Sequence, residues 1–166
     1  LFEARANEKG LQILSNIDQS LPHIVVGDDF RLRQVLINLL SNAIKFTEQG
    51  SIIVSGAVLR KTDDSVKIQF TVADTGIGIS PEMQSQVFEE FTQADGGISR
   101  KFGGTGLGLT IVKKLVELQG GEISLTSEPN EGTIIRVVIP YSIKETRTTN
   151  VDQETHYRIN AGTSIL

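Results

Sequence analysis

Asn38, Asn42 and Lys45 lie in the segment Arg31-Leu32-Arg33-Gln34-Val35-Leu36-Ile37-Asn38-Leu39-Leu40-Ser41-Asn42-Ala43-Ile44-Lys45-Phe46. At about 100° per residue the three fall within roughly 60° of one another on a helix. Two amide oxygens suit a hard cation such as Mg²⁺, and an ammonium suits phosphate. Taken alone, the same residues equally fit a solvated helix face with two accidental asparagines. A second candidate is Gly103-Gly104-Thr105-Gly106-Leu107-Gly108, placed just before an apolar helix pattern. Glycines there let backbone N–H groups approach an anion at a helix N-terminus. A plain flexible hinge is the competing reading. A Walker loop needs Gly-Lys, which the chain lacks, and a dinucleotide fingerprint needs its glycines directly after the first strand.

The third candidate is Asp74-Thr75-Gly76-Ile77-Gly78, at the end of a strand pattern. A carboxylate followed by two glycines suits a donor such as an exocyclic amine, and a simple Asx turn is the alternative. Arg100 and Lys101, just ahead of the glycine run, are placed to reach a terminal phosphate or simply to be solvated. Phe88 and Phe91, three apart, read first as core packing. His23, beside Pro22, and His156, in a polar tail, have no acid-rich helical context and read as bystanders.

These groups require a frame. The apolar residues Leu32, Val35, Leu36, Leu39, Leu40 and Ala43 recur at i, i+3, i+4 and i+7, which predicts a helix with one buried stripe and the candidate polar residues on its edge. Asp28 or Asp29 is its N-cap, and Glu48-Gln49-Gly50 ends it after Phe46. Residues 1–9 finish an earlier helix stopped by Gly10, and 11–17 read as a strand. Residues 51–59 and 66–73 predict an antiparallel hairpin. Ser80-Pro81-Glu82 opens a short helix to about Phe88, and 92–100 read as a mobile loop. A second amphipathic helix runs from Leu109 to Gly120-Gly121. Strands at 122–126 and 133–139 follow, joined by a turn at 129–132, with Pro140 ending the regular part. This order predicts an α/β (α+β) two-layer sandwich, a mixed and largely antiparallel sheet covered on one face by helices.

The chain has 166 residues, no cysteine and a net charge of -4. It suits one domain, excludes disulfides and thiol chemistry, and lacks the polybasic cluster of a nucleic-acid surface. No apolar run approaches the ~20 residues that cross a bilayer, and residues 1–6 have no signal-peptide layout. The opening reads as mid-helix, as expected of a fragment. Residues 141–166 read as a polar linker contributing little to the core.

Taken together, Asn38-x-x-x-Asn42-Ala43-x-Lys45-Phe46-Thr47, Asp74-x-Gly76-x-Gly78, Phe88-x-x-Phe91 and Gly104-Thr105-Gly106-Leu107-Gly108-Leu109 stand in the order of the N, G1, F and G2 boxes. Over residues 1 to about 140 the chain resembles the catalytic, ATP-binding domain of sensor histidine kinases, within the group that includes gyrase, Hsp90 and MutL. The resemblance implies a Bergerat fold holding ATP and Mg²⁺ under a lid at about 92–102, with Phe88 and Phe91 anchoring the lid's beginning. It implies that Asp74 accepts from the adenine amino group, Gly76 and Gly78 shape the pocket around the base, and Phe46 stacks on or flanks the ring with Thr133 nearby. Asn42 would bind the metal with help from Asn38, and Lys45 would meet phosphate. Gly104, Thr105, Gly106, Leu107 and Gly108 would hold the phosphates, with Arg100 or Lys101 near the γ-phosphate.

In the ATPase branches a glutamate base lies four residues before the metal-binding asparagine. Asn38 stands there instead, and an amide is no general base at neutral pH. Phosphoryl transfer to histidine is therefore expected over hydrolysis, with Asn38, Lys45 and Arg100 as the catalytic set. The resemblance further implies a division into 1–10 (end of a dimerisation helix), 11–140 (ATP domain) and 141–166 (linker, reaching the start of a receiver domain). The acceptor histidine would sit on a helical domain upstream. The parent would be a homodimer with a downstream response-regulator receiver as partner, this piece lying in the cytoplasm and the parent optionally anchored in a membrane.

Overall fold

Strand parity organises the molecule. In the computed structural model, which describes residues 2–89 and 108–143, five strands form one sheet: β1 (Gln12–Ile17), β2 (Ser51–Lys61), β3 (Ser65–Asp74), β4 (Glu122–Glu128) and β5 (Gly132–Ser142), in the order β1-β2-β3-β5-β4. Among the described residues only the β1-β2 pairing is parallel. Side chains alternate faces along a strand, and the register aligns Val66 with Tyr141, Ile68 with Ile139, Phe70 with Val137 and Val72 with Ile135. Continuing two more residues pairs Asp74 with Thr133. Asp74 therefore points to the apolar face, beneath the helices.

Three helices and one short turn of helix complete the described chain: α1 (Phe2–Glu8), α2 (Asp29–Phe46), α3 (Pro81–Gln84) and α4 (Gly108–Glu117). Asp28 is the N-cap of α2, its carboxylate accepting from the Arg31 N–H at 2.9 Å. The helix buries Val35, Leu39, Ala43 and Ile44, and α4 buries Thr110, Val112 and Val116. Both stripes close over Ile52, Val66, Ile68, Val72, Ile135, Val137 and Ile139 in one core. The architecture is the expected mixed sheet with a helical layer. Gly10 stops α1 at φ +70°, as expected.

Two expectations are corrected. The helix opened by Pro81 ends at Gln84 rather than near Phe88, and Ser80 makes no side-chain capping bond. With only four helical residues, nothing propagates it. Pro140 does not end the regular structure: β5 continues to Ser142, and Tyr141 is buried in the core. The reason lies in the neighbouring strand. The β4 pairing begins at Glu122, opposite Val138, so past that point a residue without an N–H costs no ladder bond on that side.

This core generates a direct expectation. Leu39 is 1% exposed, so Leu39→Ala should cost about 2–5 kcal/mol in urea unfolding. Phe30→Ala, at a side chain 72% exposed on the same helix, should change the midpoint little.

Candidate functional site

The C-terminal half of α2 is the meeting point of the candidate residues. Asn38, Asn42, Lys45 and Phe46 are all half-buried along it. The Asn42 amide packs against the first residue of α4, with Nδ2 3.5 Å and Oδ1 3.9 Å from where a Cβ on Gly108 would stand. The helix bearing the two amides thus touches the end of the glycine run. Lys45 folds over its neighbour, its Nζ 4.7 Å from the centroid of the Phe46 ring. Such a cation over a ring face fixes both side chains on the same edge of the helix.

A groove of about 480 Å³ opens between α1 and α2, lined by Arg5, Glu8, Lys9, Ser41, Asn42, Ile44 and Lys45. Among these lining residues three cations stand against one carboxylate, a balance that favours an anionic ligand.

The Asp74 segment reaches the same helix end. The Phe46 carbonyl accepts the Ile77 N–H at 3.2 Å. A Cβ on Gly76 would collide with that carbonyl and lie 2.8 Å from Asp74 Oδ1. Gly78 has φ +68°, and a Cβ there would run into the Glu128 carbonyl. Both positions therefore need glycine, the first for close approach and the second for its left-handed backbone as well. The chain turns tightly enough for the Gly76 N–H to bond Asp74 Oδ1 at 2.9 Å.

Burial pushes the Asp74 carboxyl above its usual range, and backbone bonds from Gly76 and Thr133 pull it back in part. A half-buried carboxylate short of donors in this way is suited to accept one from a ligand.

Sequence reasoning missed what secures this corner. Buried Ser127 of β4 accepts from the Ile79 N–H at 2.8 Å and donates to the Gly132 carbonyl at 2.7 Å. Its one proton is thereby used, so the 3.0 Å contact with Thr133 has the threonine hydroxyl as donor. Thr133 keeps its acceptor lone pairs beside Asp74. Gln84 donates to the carbonyls of Ile79 and Ser127, which ties α3 to the same corner. The only available signal was a serine at a core-parity position of β4. Thr110, buried at the start of α4, donates to the Glu89 carbonyl at 2.9 Å and links that helix to the segment after α3, where Phe88 is half-buried.

Arg100, Lys101, Gly104, Thr105, Gly106, Leu107, Phe91 and the loop at 92–102 lie outside the described residues, as does the tail from 144 onward. Among the described residues, no group of three or more His, Cys, Asp or Glu could hold a metal ion. A cation at this site would rest on amide oxygens and on oxygens of its ligand. No described helix is long and apolar enough to cross a membrane.

Residues 27–143 match the family described as histidine kinase-, DNA gyrase B-, and HSP90-like ATPase. The chain is 47% identical over 133 residues to the signal transduction histidine-protein kinase BarA of Escherichia coli (strain K12), covering 80% of this chain and 14% of that protein. It is 45% identical to the sensor histidine kinase GacS of Pseudomonas protegens, over 77% of this chain and 14% of that one. The chain thus spans about one seventh of the length of these curated relatives. Among solved structures, full-length ShkA in complex with AMPPNP superposes with a TM-score of 0.73 at 33% identity, covering 85% of this chain and 28% of ShkA. The nucleotide-free catalytic domain of the histidine kinase ThkA matches with a TM-score of 0.64 at 28% identity, over 84% of this chain and 86% of that one. The chain belongs to the histidine kinase-, DNA gyrase B- and HSP90-like ATPase family, as a catalytic, ATP-binding domain of the histidine kinase type.

Proposed function

We propose that this domain serves a two-component sensor kinase, moving the γ-phosphoryl group of Mg-ATP to a histidine on a separate helical domain of a homodimeric parent. The observation that carries the reading is that one helix end touches both glycine segments, through Asn42 against Gly108 and the Phe46 carbonyl against Gly76 and Ile77. A ligand with a base at one end and phosphates at the other fits that span.

Asp74 accepts from the adenine amine, with Thr133 offering lone pairs beside it and Phe46 flanking the ring. Lys45 draws the phosphates, assisted by Arg100 or Lys101, and backbone N–H groups of residues 104–108 hold them. Asn42, with Asn38, supplies amide oxygens for Mg²⁺, which when bound offsets charge building on the transferred group. In the transfer the bond from the γ-phosphorus to the bridging oxygen breaks, a nitrogen–phosphorus bond forms, and ADP leaves. Asn38 cannot take a proton from water, which favours a histidine nucleophile over hydrolysis.

Residues 1–10 are read as the end of the acceptor domain's helix and, since β5 runs to Ser142 with Tyr141 in the core, the linker toward a receiver is read as beginning after Ile143 rather than at 141. ShkA was solved with AMPPNP, and the relatives include a hybrid signal transduction histidine kinase of Dictyostelium discoideum. The first supports a nucleotide ligand and the second a multidomain parent, in which this piece is proposed to face the cytoplasm.

A purified hairpin domain carrying its histidine, supplied in trans with radiolabelled ATP, should acquire label; label on no acceptor, with steady phosphate release, would contradict the kinase reading. Asp74→Asn should weaken Mg-ATP binding roughly ten- to a hundredfold, since a hydrogen bond involving a charged group is worth about 1.5–3 kcal/mol. The same change should leave the unliganded chain at least as stable at neutral pH. With the native carboxyl raised, the folded state binds its proton more tightly than the unfolded chain. Asp74's contribution is therefore greatest below the ordinary carboxylate range and is lost as pH rises through the raised native value. Urea midpoints across that window should slope downward with pH more steeply for wild type than for Asp74→Asn.

A further inference from the structure

An α-helix leaves its last four carbonyls without partners along the helix, and in α2 these are the carbonyls of Ala43, Ile44, Lys45 and Phe46. Ala43 is served by Thr47, whose N–H and hydroxyl reach its oxygen at 3.0 and 2.7 Å. Phe46 is served by the Ile77 N–H. The middle two are served by a side chain 35 residues upstream. Lys9 Nζ donates to the Ile44 carbonyl at 2.7 Å and to the Lys45 carbonyl at 3.2 Å, and it also lies 3.3 Å from the Thr47 carbonyl. An ammonium there also complements the negative end of the helix dipole.

Resting on the nucleotide site proposed above, we infer that Lys9 is a positioning residue for that site. It touches no ligand itself. It holds the turn from which Lys45 points toward phosphate and Phe46 toward the base, and it joins that turn to the end of α1. An ammonium bridging successive carbonyls limits how far the turn can unwind, which keeps the Lys45 side chain where phosphate meets it at no further ordering cost on binding. The Lys45 carbonyl is part of this clamp while its ammonium lies over the Phe46 ring, so Lys9 holds the backbone that carries the second lysine.

The test is a double-mutant cycle on the full 166-residue chain, read by calorimetry with Mg-ATP. Far-UV circular dichroism first confirms that each variant is folded at the working temperature. Lys9→Met keeps the aliphatic stem and removes the donors; it should weaken binding about three- to tenfold, the range expected for a charge at a helix C-terminus. Lys9→Arg, which can still donate to adjacent carbonyls, should restore most of the affinity. In a Lys45→Met background, Lys9→Met should cost clearly less than in wild type, because the ammonium it positions is gone and only its effect through Phe46 is left. Wild-type affinity in Lys9→Met, or an undiminished further loss in the Lys45→Met background, would overturn the inference while leaving the nucleotide reading intact. Should Lys9→Met prove unfolded, Lys9→Gln, which keeps a neutral donor, replaces it in the same cycle under the same criteria. Failure of the wild-type chain to bind Mg-ATP at all would overturn both.

Discussion

The carbonyl end of α2 is the constraint on which the rest of the site depends. Buried or half-buried backbone oxygens must find donors, and the donors come from three separate parts of the chain: Thr47 next in sequence, Lys9 from the preceding segment, and Ile77 from the loop after β3. Each bond that satisfies a carbonyl also fixes a distance. The Ile77 bond draws the Asp74 loop against the helix, and Gly76 permits it because any side chain there would occupy the place of the Phe46 carbonyl. The candidate base-binding carboxylate and the candidate phosphate-binding lysine are thus held to one helix end by ordinary hydrogen-bond accounting.

The sheet provides the second half of the geometry. Antiparallel pairing of β3 with β5 and period-2 alternation carry one apolar row from Val66 and Tyr141 to Asp74 and Thr133, where it changes from hydrocarbon to polar. The polar end of an apolar row lies under the helices yet at the mouth of the layer, which accounts for a carboxyl raised by burial and only partly compensated by Gly76 and Thr133. Ser127 closes this corner with all its hydrogen-bonding capacity engaged, so the acceptor capacity left over is that of Asp74 and Thr133.

Much of this was legible in the residues because local and global preferences agree. The i, i+3, i+4 spacing of α2, its Asp28 cap, the alternation of β2, β3 and β5 and the left-handed Gly10 all report structure that the sequence encodes within a few positions. What was illegible depends on contacts between distant segments. Nothing near Pro140 reveals that β4 begins opposite Val138, so the proline read as a terminus. Nothing near Lys9 reveals that its ammonium crosses to α2, and Ser127 looks like any strand serine until Gly132 and Ile79 fold onto it. The four motif segments, by contrast, could be joined through their order alone. That order anticipated the convergence of Asn42 with Gly108 and of Phe46 with Gly76.

The central proposal is that one ligand spans the end of α2, the Asp74 loop and the start of α4, which touch one another through Asn42 and Gly108 and through Phe46, Gly76 and Ile77. Amide NMR of the labelled chain during titration with Mg-ADP tests it most directly. The account predicts that the largest shifts fall together on Asn42, Lys45, Gly76, Ile77, Gly108 and Thr133, with a single saturation curve, while β1 and the solvent face of β2 stay unmoved. Shifts confined to only one of these segments, or saturating at different concentrations on α2 and on the Asp74 loop, would contradict it.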